Sequence, residues 1–193
     1  MLRAVRTEII TPRLLLRPAT GADRMDLHRL EQDPDVMRYL NGGRPTPLEP
    51  DANEAFLMPR GHADGLWVVV EPQTGAFLGW VSLRLQGEAG DLGYRFRRDA
   101  WGRGYATEAA SAVLADAFER RGLSRITAQT MAVNLASRRL MERLGMRHER
   151  TFFVDFPDAL PGSEHGEVEY AMTRERWRTS SAEDNPASTH LPD

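Results

Sequence analysis

Residues 91–108 restrict the fold more than any other stretch, because they combine a short strand, an arginine-rich loop with two closely spaced glycines, and a helix start. Leu92, Tyr94 and Phe96 alternate with smaller or charged residues, as expected of a half-buried strand. After Gly104 the apolar residues recur at three- and four-residue intervals, which predicts a helix with one buried face. This order places a helix N-terminus directly after the end of a strand.

The start of this helix is suited to binding an anion. The first amides of a helix have no intrahelical partner and carry partial positive charge, and glycines before them let a ligand approach the backbone closely. Gly102 and Gly104 occupy those positions, and the loop also carries three cations, Arg97, Arg98 and Arg103. The sequence therefore predicts a bound phosphate or diphosphate at this turn.

A Rossmann-type dinucleotide site fits the same glycines poorly. Its glycine motif follows the first strand of a βαβ unit, and an acidic residue comes about 20 residues later. Here the glycines follow a strand deep in the chain, and an arginine-rich helix end and Gly122 stand about 20 residues further on. A phosphate-binding turn of another kind is the better interpretation.

Composition excludes several kinds of chemistry. The 193 residues contain no cysteine, and all 25 basic residues are arginine. The chain therefore has no disulfide, thiolate zinc site or cysteine nucleophile, and no lysine for a Schiff base or a Walker-type phosphate loop. His28, His62 and His148 show no metal-ligand spacing, so we expect no metal. A formal net charge of −3 predicts no general attraction to nucleic acid or to anionic membranes.

Periodicity and turn residues predict one domain in the rest of the chain. Residues 11–18 are expected to form the first strand, Thr20 and Asp33 to begin helices as N-caps, and residues 53–58 to form another short helix. Residues 179–193 are polar with almost nothing apolar, which predicts a disordered tail. We see no signal peptide and no long apolar run, so the cytoplasm is the expected location.

Four motifs in a fixed order resemble one known family. They are T-x-R-L-x-L-R at residues 11–17, Gly93-Tyr94 followed by W-G-x-G-Y-A-T-E-A at residues 101–109, N-x-x-S at residues 134–137 with L-G-M at residues 144–146, and Tyr170 followed by R-x-x-W at residues 174–177. The arrangement is similar to the GNAT superfamily of N-acetyltransferases, and most to its ribosomal-protein N-terminal acetyltransferase (RimJ/RimL-like) branch. The resemblance spans almost all of residues 8–178.

The resemblance implies an α+β fold in a single domain, residues 1–178. It implies a central mixed, mostly antiparallel, twisted sheet of six to seven strands that is splayed in the middle and flanked by about four helices. It also implies acetyl-CoA as co-substrate. The backbone of Phe96, Arg97 and Arg98 would meet the pantetheine arm, and Asn134 and Ser137 would line the far wall of the cleft. The diphosphate would be held by the turn formed by Gly102, Arg103, Gly104, Tyr105, Ala106 and Thr107.

The same resemblance suggests candidates for catalysis. Asp91 and Glu167 stand where the family often has acidic residues and are candidate bases, with His165 a weaker one. Many superfamily members place a tyrosine seven residues after the asparagine, where this chain has Met141. Ser137 is therefore the better candidate to stabilise or protonate the departing sulfur.

The expected reaction is acetyl transfer to a primary amine, either a protein N-terminus or a small molecule. An acyl-CoA-binding sensor or assembly module without catalysis is the alternative. We expect neither nucleic acid nor membrane as a partner, and a homodimer is left open.

Overall fold

The computed structural model describes residues 8–45, 65–154 and 160–183. The helix predicted over residues 53–58 lies outside the described residues, and so does His62. The strands are β1 (Ile9–Ile10), β2 (Leu15–Pro18), β3 (Leu66–Val70), β4 (Phe77–Gln86), β5 (Ala89–Phe96), β6 (Arg125–Met131), β7 (Arg147–Phe152) and β8 (Glu167–Thr173). The helices are α1 (Arg24–Leu30), α2 (Pro34–Asn41), α3 (Tyr105–Ala115), α4 (Leu135–Arg143) and α5 (Arg174–Glu183).

All eight strands form one open sheet in the order β1-β2-β3-β4-β5-β6-β8-β7. Every neighbouring pair is antiparallel except β5 and β6, which run parallel. The parallel register covers only Ala89 with Arg125, Gly90 with Ile126 and Asp91 with Thr127. Beyond these pairs β5 continues to Phe96 and β6 to Met131. The sheet is therefore splayed in its middle, as predicted.

The two faces of the sheet carry separate apolar clusters. The main core packs α3 and α4 against one face, where Val69, Val81 and Leu83 are buried together with Val113 and Met141. A smaller cluster packs α1 against the other face through alternate strand residues. The predicted α+β layering is confirmed.

Side-chain caps explain where the first helices begin. The carboxylate of Asp33 accepts hydrogen bonds from the Asp35 and Val36 amides (2.9 and 3.4 Å), as an N-cap should. Asp23 Oδ2 accepts from the amide and the hydroxyl of Thr20 (2.7 and 2.9 Å) in the turn that leads into α1. The start of α2 at Asp33 was predicted, whereas the predicted Thr20 cap begins the short 3₁₀ turn Gly21–Asp23 that precedes α1.

Two details of the sequence prediction are corrected. The first strand does not begin at residue 11, because Thr11 closes a turn with the Leu14 carbonyl and β2 begins at Leu15. The described residues contain eight strands and five α-helices where six to seven strands and about four helices were expected, because β1 and α5 were not predicted. Trp177 of α5 stacks on Phe118 at a centroid distance of 5.8 Å. α5 continues to Glu183 and so includes the first five residues of the segment predicted as a tail. Residues 184–193 lie outside the described residues, and their disorder stays a prediction.

No helix within the described ranges has both the length and the apolar character needed to cross a membrane.

Gly79 allows β4 and β5 to approach closely at the end of β5. A Cβ atom at this position would clash with the Arg95 carbonyl oxygen and lie 2.7 Å from Phe96 Cα. We expect Gly79→Ala to lower the free energy of unfolding by about 1–3 kcal/mol, because the strand backbones must shift to admit the methyl group. Gly21→Ala is the matched control, since a Cβ there meets nothing within 4 Å. Urea unfolding compares the two variants, and equal stabilities would contradict this account of Gly79.

Candidate active site

The opening between β5 and β6 forms one continuous cleft of about 950 Å³. Most of the predicted site residues line it: Asp91, Phe96, Gly102, Gly104, Tyr105, Ala106, Thr107, Asn134, Ser137 and Glu167. The structure therefore brings together residues that are up to 76 positions apart in the sequence. Within the part of the chain that the structure describes, Arg97, Arg98 and Arg103 do not line the cleft.

The start of α3 presents backbone amides to this cleft. Gly104 is the N-cap, with φ of +79°, and Gly102 has φ of +71°, so both adopt the left-handed conformation that glycine tolerates. The first helical hydrogen bond runs from the Glu108 amide to the Gly104 carbonyl (3.0 Å). The amides of residues 105–107 precede it and are oriented for an external acceptor. A Cβ at Gly102 would meet nothing within 4 Å, so the space in front of the turn is open. These features fit a diphosphate.

A latch formed by Thr11, Arg13 and Glu108 fixes the first turn of α3. Glu108 accepts hydrogen bonds from Thr11 Oγ1 (2.6 Å), from Arg13 Nε (2.7 Å) and from the Arg13 amide (3.0 Å). Arg13 also donates to the Arg103 carbonyl (3.0 Å), and its guanidinium lies 4.8 Å from the centroid of the Tyr105 ring. Burial disfavours the Glu108 carboxylate, but the hydrogen bonds from Thr11 and Arg13 outweigh it and lower the pKa of Glu108. Sequence analysis missed this role, although the T-x-R and A-T-E motifs contain all three residues.

Two arginines of the loop, Arg97 and Arg98, form ion pairs with carboxylates. Arg97 pairs with Asp99 (2.5 Å) and Arg98 with Asp35 of α2 (2.8 Å). The Arg97 amide already donates to the Leu78 carbonyl (2.9 Å). Asp99 is thus engaged by Arg97, and the guanidinium of Arg103 lies over the Tyr105 ring at 4.8 Å.

Trp101 and Tyr105 act as anchors of the loop. Trp101 Nε1 donates to the Phe96 carbonyl (2.8 Å), which ties the loop to the last residue of β5. The Tyr105 ring is buried, with guanidiniums of Arg13 and Arg103 against it. The Phe96 carbonyl oxygen accepts this one bond and keeps capacity for another, so its predicted contact with a pantetheine arm stays a prediction.

The N-terminus of α4 forms the opposite wall of the cleft. Asn134 Oδ1 accepts from the Ser137 amide (3.2 Å), and its Nδ2 donates to Thr130 Oγ1 (3.0 Å). Asn134 is thus an N-cap, and each of its polar atoms retains capacity for one further hydrogen bond. The Ser137 hydroxyl lies 2.8 Å from the hydroxyl of Tyr94 on β5. Burial raises the pKa of Tyr94 to about 12, against the opposing effect of its bond with Ser137.

Tyr94 is a further site residue that the sequence did not single out. The Gly93-Tyr94 motif could have drawn attention to this tyrosine. No residue close to it in the sequence indicates that Ser137, 43 residues away, is its hydrogen-bond partner. Met141, seven residues after Asn134, is buried in the cleft wall.

The candidate bases differ in their surroundings. Asp91 lies at the last paired position before the splay, and Arg84 Nη2 donates to its carboxylate (3.1 Å). Glu167 begins β8 and lines the cleft. His165 lies on an exposed turn outside the described lining, 3.7 Å from Glu164. The described residues contain no group of three or more His, Cys, Asp or Glu arranged to hold a metal ion.

Comparisons with known proteins agree with this geometry. The acetyltransferase (GNAT) domain family matches residues 13–147. The FsC-acetyl coenzyme A-N(2)-transacetylase of Aspergillus fumigatus is 35% identical over 181 residues, which cover 86% of this chain and 76% of the fungal protein. A GNAT-family acetyltransferase from Bacillus anthracis is 28% identical and superposes with a TM-score of 0.71 over 88% of this chain and 99% of its own.

A further structural neighbour is RimL, a ribosomal L7/L12 α-N-protein acetyltransferase solved in complex with coenzyme A. It superposes with a TM-score of 0.71 at 18% identity, over 86% of this chain and 98% of RimL, and this likeness concerns the fold. The fold and the cleft define a GNAT acyltransferase. The chain belongs to the GNAT acetyltransferase family, whose members are acetyl-CoA-dependent N-acetyltransferases.

The latch predicts how stability depends on pH. Because the folded pKa of Glu108 lies below its ordinary value of 4.5, its ionised form stabilises the fold above that pH, and the contribution is lost as the pH falls through the folded pKa. At neutral pH we expect Glu108→Gln to lower Tm by about 2–4 °C. The difference from wild type should shrink below pH 4.5.

Thermal unfolding followed by circular dichroism across this pH range measures the effect. Glu88→Gln removes the same charge from a side chain without a described hydrogen bond or ion pair, and it should leave Tm almost unchanged at every pH. A Tm difference for Glu108→Gln that stays constant down to the lowest pH would argue against the latch.

Proposed function

We propose that this protein transfers an acetyl group from acetyl-CoA to a primary amine by direct attack within a ternary complex. The observation that carries the proposal is the continuity of the cleft. It runs from residues 105–107, whose amides precede the first hydrogen bond of α3, through the splay to Asp91, Ser137 and Glu167. A diphosphate at one end would leave the thioester beside the carboxylates and the hydroxyl at the other.

The turn at α3 is assigned to the diphosphate. The amides of Gly102 and Gly104 to Thr107 supply donors, and the helix start supplies partial positive charge. Arg103 adds a cation beside the turn, since the described structure gives it a ring contact and no ion pair. The latch of Thr11, Arg13 and Glu108 holds this turn in place without occupying the cleft.

The 3′-phosphate of CoA is assigned to Arg139. Arg138 is engaged elsewhere, since it donates to the Ala132 carbonyl (3.0 Å) and to the Tyr170 hydroxyl (3.3 Å). Arg139 and Arg143 line the cleft four residues apart on α4, and no ion pair involves them within the described residues. Residues at this spacing lie on one face of a helix.

The reaction needs a neutral amine and a donor for the charge that develops. Deprotonating an α-amine with a pKa near 8 costs about 1 kcal/mol at pH 7, whereas a lysine-type amine costs about 4.6 kcal/mol. Asp91 and Glu167 are the proposed bases, acting directly or through water. The nitrogen–carbon bond forms, the carbon–sulfur bond breaks with its electron pair on sulfur, and the amine proton passes to the base. Ser137 donates a hydrogen bond to the sulfur, and solvent returns a proton to the thiolate.

Names of relatives support two classes of acceptor. The fungal relative is named for transfer to a nitrogen of FsC, and the fold neighbour RimL for transfer to a protein α-amine. Both acceptors are amines. The test therefore includes a small-molecule amine and an α-amine like that of a protein N-terminus.

Thiol release from acetyl-CoA in the presence of an amine panel tests the proposal. The panel contains a dipeptide with a free α-amine, a small primary amine and Nα-acetyl-lysine. We expect turnover with at least one of the first two and slower turnover with the lysine derivative at pH 7. Ser137→Ala should lower kcat about 100-fold, because a donor to developing charge is lost.

Ser124→Ala is the control, since Ser124 bonds the Glu88 carbonyl and is not part of the described lining. Acetyl-CoA binding without thiol release for any amine, and without an effect of Ser137→Ala, would favour the non-catalytic acyl-CoA-binding module.

The turn itself is tested with Gly102→Asn. Asparagine tolerates the left-handed conformation, so the backbone is kept while a side chain projects into the space assigned to the diphosphate. We expect CoA affinity to fall at least about tenfold by calorimetry. Gly122→Asn is the matched control, because Gly122 has the same φ of +71° and lies beyond the C-terminus of α3, away from the turn. Equal CoA affinity in both variants would show that the diphosphate site is misplaced.

A further inference from the structure

The contact between Tyr94 and Ser137 crosses the opening of the sheet. Backbone pairing between β5 and β6 ends at Asp91 and Thr127, whereas Tyr94 lies three residues further along β5. Its hydroxyl is 2.8 Å from Ser137 Oγ and 3.3 Å from the Ser137 carbonyl oxygen. Both residues line the cleft. A pair of hydroxyl groups is thus placed where the strands no longer bond each other.

The Ser137 side of this contact is fixed by other bonds. The amide of Ser137 donates to Asn134 Oδ1 (3.2 Å), and Asn134 in turn donates to Thr130 of β6 (3.0 Å). Ser137 therefore has a set position on the first turn of α4. The rotation of its hydroxyl proton is the remaining freedom, and the partner of its oxygen decides that rotation.

The chemistry of the two hydroxyls indicates which one donates. A phenol is more acidic than an aliphatic alcohol and is the stronger hydrogen-bond donor. The phenol carries a single proton, and of its two neighbouring acceptors Ser137 Oγ at 2.8 Å is closer than the Ser137 carbonyl oxygen at 3.3 Å. Burial keeps the phenol protonated throughout the neutral range, because it raises the pKa of Tyr94 to about 12. When Tyr94 donates to Ser137 Oγ, the proton of Ser137 is left for the cleft.

We propose that Tyr94 is a positioning residue for acyl transfer: it donates to Ser137 Oγ and thereby directs the Ser137 proton toward the sulfur that leaves as a thiolate. This inference rests on the proposed function. Tyr94 stays protonated throughout, so no proton transfer is assigned to it. The partial positive charge of the α4 N-terminus adds to the same stabilisation of the thiolate.

The thiol of bound CoA reports on this hydrogen bond without any knowledge of the acceptor amine. Ultraviolet absorbance of the thiolate gives the pKa of the CoA thiol in the complex, and calorimetry gives the affinity for CoA. We expect Ser137→Ala and Tyr94→Phe each to raise the pKa of the bound thiol by about 1, because a hydrogen bond to a charged acceptor is lost or misdirected. The double variant should raise it no further than Ser137→Ala alone, because Tyr94 acts through Ser137.

Tyr170→Phe is the matched control. Tyr170 is also a buried tyrosine whose hydroxyl bonds side chains, Glu142 (2.9 Å) and Arg138 (3.3 Å), but it is not part of the described lining of the cleft. Its loss should lower Tm and leave the pKa of the bound thiol unchanged. This separates a structural effect of a missing phenol from an effect on the sulfur.

Each outcome decides the inference. CoA bound with an unchanged thiol pKa in Tyr94→Phe would overturn the role of Tyr94 while leaving the proposed function intact. Additive shifts in the double variant would also overturn it, because Tyr94 would then act independently of Ser137. Failure of the wild-type protein to bind CoA would contradict both the proposed function and this inference.

Discussion

The short parallel pairing of β5 with β6 is the constraint on which the site depends. Parallel neighbours need a crossover connection, and here α3 is that crossover. The helix that follows β5 and the helix that follows β6 therefore both begin at the same edge of the sheet. Since the pairing stops after Asp91 and Thr127, the two strands diverge toward that edge and two helix N-termini face one opening. This is the position at which open sheets bind ligands.

Side chains take over where backbone pairing stops. Tyr94 reaches from β5 to Ser137, and Asn134 joins α4 to Thr130 of β6. On the other side of the cleft, Trp101 ties the loop to Phe96. An unpaired strand end would otherwise be free to shift, so these bonds hold the walls of the cleft at a set separation. The same polar groups are then available to a ligand in the cleft.

Local patterns predicted the local structure well, because their causes lie within a few residues. The Asp33 cap, the glycine turn before α3 and the strand at Glu167–Thr173 all follow from neighbouring side chains. Contacts between distant residues were not predictable in this way. Arg98 was expected beside a phosphate, which stays a prediction, and its ion pair with Asp35, 63 positions away, could not be read from the loop sequence. The splay of the sheet was predicted only through the resemblance to a family. It is a relation between two strands, so no single segment of the sequence indicates it.

The charges around the turn indicate what gives the site its affinity for an anion. Arg13, Arg97 and Arg98 each form an ion pair with a carboxylate, so their positive charge is largely offset close to the loop. The net charge of the chain is also negative, at −3. What remains is the set of directed amides at residues 104–107, held by a buried ring and a bonded glutamate. In the function proposed above, recognition of the diphosphate therefore depends mainly on the geometry of these backbone donors, with Arg103 as the one nearby arginine that has no ion pair within the described residues.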